Sequence, residues 1–264
     1  MTQIVWVGYF PPSADPNQGL EATPDAIRAD LRVLRQAGFT GLVTYGATGV
    51  VGQALPAIAT EEGFQGLIIG VWNPLDEQEL KMAEAASAFS IVLGFCVGNE
   101  GLYKRYQLTE LTAAMQRLRQ TTGKPVTTTE ELGDYADAEF RLIGDWLFPN
   151  VHPYFYNILN PENAVRWTTG AFEHLSEKSD KLIIFKEVGL PTAGDTEGKL
   201  SEANQQTYYV KLAATKVHFV YFEAFDQPWK TNLPIEPYWG IFRSNRSPKA
   251  LALHLIQEQL TLHP

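Results

Sequence analysis

Along this chain, short apolar runs rich in β-branched and aromatic residues alternate with longer stretches in which apolar positions recur every three or four residues. The first pattern suits buried strands and the second amphipathic helices. Eight runs read as strands: 4–9 (IVWVGY), 41–46 (GLVTYG), 66–72 (GLIIGVW), 91–98 (IVLGFCVG), 125–130 (PVTTTE), 146–151 (WLFPNV), 182–187 (LIIFKE) and 218–225 (HFVYFEAF). Helical period is clearest over 23–38, where Ile27, Leu31 and Leu34 share one face. Thr23 is placed as an N-cap, Pro24 suits the first helical position, and Gly38 suits the stop. The stretches 108–123, 201–215 and 247–260 behave alike.

Eight alternations of strand and helix predict parallel strands joined by helical crossovers. The mean repeat, 264/8 or 33 residues, suits a (β/α)8 TIM barrel of the α/β class. No linker or low-complexity segment divides the chain, so residues 1–264 are expected to form one domain. The rival architecture, an open doubly wound sheet, would carry a glycine-rich phosphate turn after its first strand. Here FPPSADPNQG follows instead, and neither GxGxxG nor GxxxxGK[ST] occurs.

Composition narrows the function. The formal net charge is -9, so the surface repels nucleic acid and anionic lipid, and neither is expected as a partner. The single cysteine, Cys96, excludes an internal disulfide or a cysteine metal cluster, and its apolar setting marks it as a packed residue. No apolar run reaches the roughly 18 residues of a membrane span. The start of the chain shows no basic leader, so cytoplasmic residence is the expectation, with secretion if a leader had been trimmed. Oligomeric state is left open.

In a barrel, reactive groups gather where strands finish. The strand ends supply Thr44 and Tyr45, Trp72 and Asn73, Asn99 and Glu100, Glu130 and Glu131, His152 and Tyr154, Glu187, then Glu223, Asp226, Gln227 and Trp229. Carboxylates, amides and flat rings are what a sugar site uses. Glu100 and Glu187 each end an apolar run directly. They are 87 positions apart, three strand-to-strand steps, so they can converge across the mouth. Two carboxyls about 5 Å apart across a glycosidic bond divide the work between a proton donor and a nucleophile. Their environments would then split their pKa values.

The alternatives differ in kind. His152 with Glu100, Glu187 and Asp226 would make a carboxylate-rich metal set, but no HxH or HExxH pair supports one, and no cofactor is expected. Trp229 is expected to stack on sugar, with Trp72 and Trp239 as weaker candidates. Glu130 is expected to support Glu187 or to be a solvated loop charge. Strand alternation puts Lys186 on the face opposite Glu187, snorkelling to water.

The motifs VGNEG (97–101), NVHPYF (150–155), FKEVGLPT (185–192), FEAFDQPWK (222–230) and YWGIFRSNRSPK (238–249) together resemble glycoside hydrolase family 17, the β-1,3-glucanases and related glucan transglycosylases, in its short bacterial form. The resemblance implies a (β/α)8 barrel and a retaining glycosidase that cleaves β-1,3-glucosidic bonds through a covalent glucosyl-enzyme. Carried over by motif, Glu100 looks like the acid/base and Glu187 like the nucleophile. Asn99 matches the asparagine that touches the sugar's 2-hydroxyl. Tyr45, Trp72, His152, Tyr154, Glu223, Asp226 and Trp229 are expected to bind the β-glucan substrate. Gln227 stands where glutamate is common, Val43 where arginine is common, and His152 where tyrosine is common. Two alternatives remain beside hydrolysis: transfer to another glucan with the same residues, and a carbohydrate-binding barrel without catalysis.

Overall fold

All eight predicted strands form, each shorter than its apolar run, in a computed structural model that describes residues 4–195 and 198–262. They are β1 (Trp6–Tyr9), β2 (Gly41–Thr44), β3 (Gly66–Val71), β4 (Val92–Val97), β5 (Val126–Thr127), β6 (Asn150–Val151), β7 (Phe185–Val188) and β8 (Phe219–Tyr221). All pairings are parallel, and the order across the sheet is β5-β4-β3-β2-β1-β8-β7-β6. β1 thus lies between β2 and β8, which curls the sheet and brings its ends, β5 and β6, toward each other. An isolated parallel bridge pairs Glu131 with Asn150, and the Asn150 amide donates to the Glu130 carbonyl at 3.0 Å.

Seven α-helices accompany the strands among the described residues: α1 (Pro24–Gln36), α2 (Gly49–Glu61), α3 (Glu77–Ala86), α4 (Leu108–Thr122), α5 (Pro161–Ser176), α6 (Glu202–Ala213) and α7 (Ala250–Leu262). The cap of α1 is as expected, with Thr23 Oγ1 accepting from the Ala26 amide at 3.2 Å. The expected eighth helix, between β5 and β6, does not form. Two short 3₁₀ turns, Leu132–Ala136 and Phe140–Leu142, take its place. Gly133 and Gly144 interrupt this segment, and its carbonyls are met by side chains instead of a helical ladder. Arg141 donates to the Tyr135 and Ala136 carbonyls, and Lys181 Nζ to those of Arg141, Leu142 and Gly144 at 2.7–2.9 Å.

The two-residue period of a strand sorts side chains into two cores. Leu42 joins the large cluster that includes Ile27, Leu31 and Leu34 of α1. Its neighbour Val43 faces the concave side, in a small cluster with Ile68, Cys96, Trp146, Phe148 and Val220. Cys96 is buried there as a packing residue, and burial pushes its thiol up to about 12. A third cluster, Leu200, Phe222, Ile235 and Trp239, lies at the strands' C-terminal ends against Tyr45 and Tyr154. Each fully buried leucine or phenylalanine contributes about 1.5–3 kcal/mol to holding these layers together.

Candidate active site

β4 ends in a sharp reversal. Gly98 has φ +78° and Glu100 φ +50°, both in the left-handed region. The Tyr106 ring packs so closely that a Cβ on Gly98 would lie 2.2 Å from its hydroxyl, and one on Gly101 2.4 Å from its edge. The glycines of VGNEG thus make room for a ring that fixes the loop. Glu130 completes the fixture, with Oε1 accepting from the amides of Gly101 (3.2 Å) and Leu102 (3.0 Å). Glu130 is therefore neither a support for Glu187 nor a solvated charge. It is buried beneath the loop that carries Glu100, and burial raises its carboxyl to about 7.

β7 carries the second carboxylate, and its register explains a misreading. Phe185 pairs with Phe219 and Val188 with Tyr221, so Lys186 and Glu187 both oppose the single residue Val220. This bulge breaks the alternation, and both side chains turn toward the mouth. Lys186 does not snorkel to water. It is 2% exposed, and its ammonium donates to Glu187 Oε1 at 2.9 Å and to Asn99 Oδ1, 4.5 Å above the Tyr45 ring centre. The other oxygen, Glu187 Oε2, lies 3.0 Å from His152 Nε2. Burial pushes Glu187 upward, but the Lys186 charge and the hydrogen bonds and charge from His152 and Lys186 outweigh it, and the carboxyl falls to about 2. It is ionised at any ordinary pH.

Glu100 is brought to this group by Asn150. Asn150 pairs with Glu187 across β6 and β7, and its Nδ2 donates to Glu100 Oε1 at 2.7 Å. Thr129 Oγ1 donates to Asn150 Oδ1 at 3.0 Å and so sets which way the amide points. Burial raises the Glu100 carboxyl, and the charge of Glu187 raises it further against the Asn150 hydrogen bond. The two carboxylates are thus shifted in opposite directions: Glu187 toward the anion, Glu100 toward the acid.

The remaining expected residues divide. Tyr45 is at the centre: burial raises its hydroxyl, as do the charges of Glu187, Glu223 and Glu100. Glu223 is buried and paired with Lys230 Nζ at 2.8 Å, and burial lifts it to about 7. The His152 ring is boxed by Phe155, Phe222 and Trp239, and Tyr154 packs on Phe155 and Trp239. Trp72 is 45% exposed on the rim with the Arg105 guanidinium 4.1 Å from its ring centre. Trp239 is only 1% exposed, so it forms the wall behind His152 and has no open face for a sugar. Asp226 points away from the pair, to Lys249 Nζ (2.6 Å) and the Gly240 amide (3.0 Å). Trp229 is half-buried against Phe10, with Nε1 donating to Gln227 Oε1 at 2.9 Å. The metal alternative finds no support: among the described residues no three His, Cys, Asp or Glu side chains are grouped to hold an ion.

Three functional residues escaped the sequence reading. Lys186 was hidden by the bulge. Asn150 stood in a quoted motif, but nothing in its type distinguished it from a strand-end residue. Glu79 lies inside α3, where it reads as a solvated helical charge. Its carboxylate is buried and accepts from the amides of Ala47, Trp72 and Asn73 at 2.9–3.0 Å, tying together the loops after β2 and β3.

A family model described as the BtgE/BtgC glycoside hydrolase domain matches residues 7–240. A probable glucan endo-1,3-beta-glucosidase, btgC, from Aspergillus clavatus is 30% identical over 226 residues, covering 69% of this chain and 32% of its own length. A probable beta-glucosidase, btgE, from Aspergillus flavus is 27% identical, and the chain spans 40% of it. The chain therefore spans about a third to two fifths of these Aspergillus relatives. A glucan 1,3-beta-glucosidase from Arthroderma benhamiae is 27% identical over 83% of this chain and 82% of its own. Among solved structures, the glycoside hydrolase family 17 β-1,3-glucanosyltransferase from Rhizomucor miehei superposes with TM-score 0.76 at 22% identity, over 94% of this chain and 96% of that one. An endo-laminarinase from Formosa superposes with TM-score 0.80 at 15% identity, over 97% and 87%. At these identities the structural likeness speaks for the fold.

Proposed function

The chain belongs to the BtgE/BtgC glycoside hydrolase domain family, and from that premise we propose that it is a retaining glycosidase acting on β-1,3-glucan. The observation that carries this reading is the pair of carboxyls at the strand ends, Glu100 held by Asn150 and Glu187 by Lys186 and His152, shifted in opposite directions. In the first step Glu187 attacks the anomeric carbon as the glycosidic bond breaks, and the protonated Glu100 gives its proton to the departing oxygen. In the second, Glu100, now a carboxylate, takes a proton from an incoming hydroxyl, which attacks the same carbon and releases Glu187. Two inversions leave the β configuration.

The same reading takes the sheet as a closed barrel of one domain. The bridge from Glu131 to Asn150 and the amide of Asn150 on the Glu130 carbonyl support closure between β5 and β6. That seam matters for the chemistry, because Glu130 and Asn150 on its two sides both serve Glu100. The relatives named above by sequence are fungal, so the bacterial placement rests on the motif resemblance.

The test is turnover of laminari-oligosaccharides, followed by NMR at early times. The β anomer of the new reducing end is expected first, and Glu187→Ala is expected to lose at least about 10⁴-fold in kcat while still binding the oligosaccharide. An α product would refute the retaining mechanism. Binding without turnover by the unaltered protein would favour the non-catalytic reading.

A second reading, transfer to another glucan, is favoured by the exposed rings about the mouth. Trp72 and Phe155 are 45% and 55% exposed, apolar surface that an acceptor chain could cover. Products longer than the starting laminari-oligosaccharide would establish it.

A further inference from the structure

We propose that Gln227 is a positioning residue: its neutral amide clasps the loop after β1 to the loop after β8, and so holds Trp229 and Lys230 at the mouth in a way that does not change with pH. The inference rests on the glucan-active reading above for its rate measurement, and adds to it a residue that orders this side of the mouth.

The geometry admits one orientation of the amide. Gln227 is fully buried. An indole N–H only donates and a backbone carbonyl only accepts. Trp229 Nε1 therefore meets Gln227 Oε1, at 2.9 Å, and the Phe10 carbonyl meets Nε2, at 3.0 Å. The side chain is a donor to one loop and an acceptor to the other. The same loops touch twice more: Asn17 Nδ2 donates to the Trp229 carbonyl at 3.2 Å, and the rings of Phe10 and Trp229 lie 5.6 Å apart. The backbone of Gln227 fixes the turn itself. Its amide donates to the Pro237 carbonyl at 3.2 Å, and its carbonyl accepts from the Lys230 amide at 3.0 Å. Lys230 carries the effect inward. Its ammonium donates to both oxygens of Glu223 and lies 4.8 Å from the Phe222 ring centre, and Phe222 packs on His152, which holds Glu187.

A carboxyl of the same shape can make this clasp in only one protonation state. As the neutral acid, its hydroxyl donates to the Phe10 carbonyl and its other oxygen accepts from Trp229. As the anion it has no donor, and it sets an acceptor against that carbonyl where burial already disfavours charge. The charged groups on the surrounding elements do not relieve this. Lys230 is paired with Glu223, Lys249 with Asp226, and Arg246 with Asp30 beneath Tyr9. Asp15, in the loop after β1, accepts from the backbone amide of Asn17, and Glu236 directly precedes the Pro237 whose carbonyl meets Gln227. Each cation among these groups already has a carboxylate. The amide thus removes a titration from a position where the motif resemblance makes glutamate common.

The test is Gln227→Glu beside the unaltered protein, with Tm by calorimetry and kcat/KM on a laminari-oligosaccharide across the acid-to-neutral range. A neutral acid held in the fold keeps its proton more tightly than the unfolded chain, where glutamate titrates at about 4.3, so stability falls as pH rises from there toward the higher value in the fold. The Tm of Gln227→Glu is expected to lie within about 2 °C of the unaltered protein at about pH 4.5, and on the order of 5 °C below it at about pH 8. Over the same range kcat/KM, measured where circular dichroism shows a folded chain, is expected to drop from near parity to about a tenth. Gln227→Leu carries the test where the first variant does not fold. It leaves the Trp229 indole and the Phe10 carbonyl unpaired, so its deficits in Tm and kcat/KM should be the same at every pH. A gap for Gln227→Glu that does not change with pH, or a Gln227→Leu that matches the unaltered protein, overturns the proposal. The Tm comparison needs no turnover, so an unaltered protein inactive on the oligosaccharide refutes the glucan-active reading while Tm still decides the clasp.

Discussion

Replacing His152 with phenylalanine removes one donor from the nucleophile and leaves its surroundings in place. The phenyl ring keeps the packing against Phe155, Phe222 and Trp239, whose ring centres lie 5.0–5.8 Å from the imidazole. What is lost is the bond from Nε2 to Glu187 Oε2, at 3.0 Å between side chains 10% and 7% exposed. A hydrogen bond to a charged group contributes about 1.5–3 kcal/mol, and 1.36 kcal/mol shifts a pKa by one. Glu187, now at about 2, is therefore expected to rise by about 1–2. The acid limb of kcat/KM reports ionisation of the free nucleophile, so a higher pKa moves that limb to higher pH. In the unaltered enzyme activity should persist on the acid side until the protein unfolds. In His152→Phe it should fall through a titration near pH 3–4 while circular dichroism still shows a folded chain. His152→Gln, which restores an N–H, should return the limb toward its original place. The assay is initial rates on a laminari-oligosaccharide with circular dichroism at each pH. A limb in His152→Phe that coincides with that of the unaltered enzyme would refute the argument, because Glu187 would then owe nothing to His152.

Three further outcomes follow from the same contacts. Asn150→Leu removes the bond that holds Glu100 down, so the basic limb of kcat/KM should move alkaline by about one pH unit or more; a limb that stays put or moves acid would contradict the role given to Asn150. Lys181→Met strips a buried-side ammonium from the carbonyls of Arg141, Leu142 and Gly144, and should cost about 2 kcal/mol, a fall of about 4–8 °C in Tm by calorimetry, with turnover unchanged. Gly70→Ala places a methyl 2.3 Å from the Thr44 carbonyl oxygen and 2.6 Å from the Tyr45 carbonyl carbon, both backbone atoms that cannot step aside. It should destabilise by about 3 kcal/mol or more and loosen Tyr45, so Tm and activity should fall together.

The strands were legible because burial on both faces of a parallel sheet writes long apolar runs, and IVLGFCVG or LIIFKE can hardly be anything else. Their ends were less so: the apolar run at 146–151 keeps its pattern through Trp146, Leu147 and Phe148, yet the strand itself is only Asn150–Val151, with Leu147 in an isolated parallel bridge to Ile183. Trp146 and Phe148 are apolar because they fill the concave core, a reason the pattern cannot separate from strand pairing. The missing helix between β5 and β6 had its signal in Gly133, Gly144 and the aspartates between them, outvoted by the expectation of regular alternation. Glu100 and Glu187 were readable because an acid directly after a buried run has few structural excuses. Trp239 was not, because a tryptophan in a loop reads the same whether it lines a cleft or walls it from behind.

The bulge at Lys186 marks the limit of strand alternation as a guide to which face a side chain takes. Alternation by two holds only while each residue of one strand opposes one residue of the next. A single extra residue between Phe185 and Val188 cancels it locally, and no residue type in FKEV announces the insertion. The consequence is chemical as well as geometric. With regular pairing, a buried carboxylate at Glu187 would face the mouth with only His152 beside it, and burial would push it toward the neutral acid. The bulge adds a cation to the same face; burial is the largest single influence on the carboxyl, and the Lys186 charge together with the hydrogen bonds and charge from His152 and Lys186 outweighs it. Lys186 in turn tolerates burial because Glu187, Asn99 and the Tyr45 ring surround its charge. The acid and the base at positions 186 and 187 each make the other's burial affordable, and neither substitution alone should be neutral. The two changes made together should therefore cost less stability than the sum of the separate ones, a non-additivity that a double-mutant cycle on Lys186→Met and Glu187→Gln measures directly.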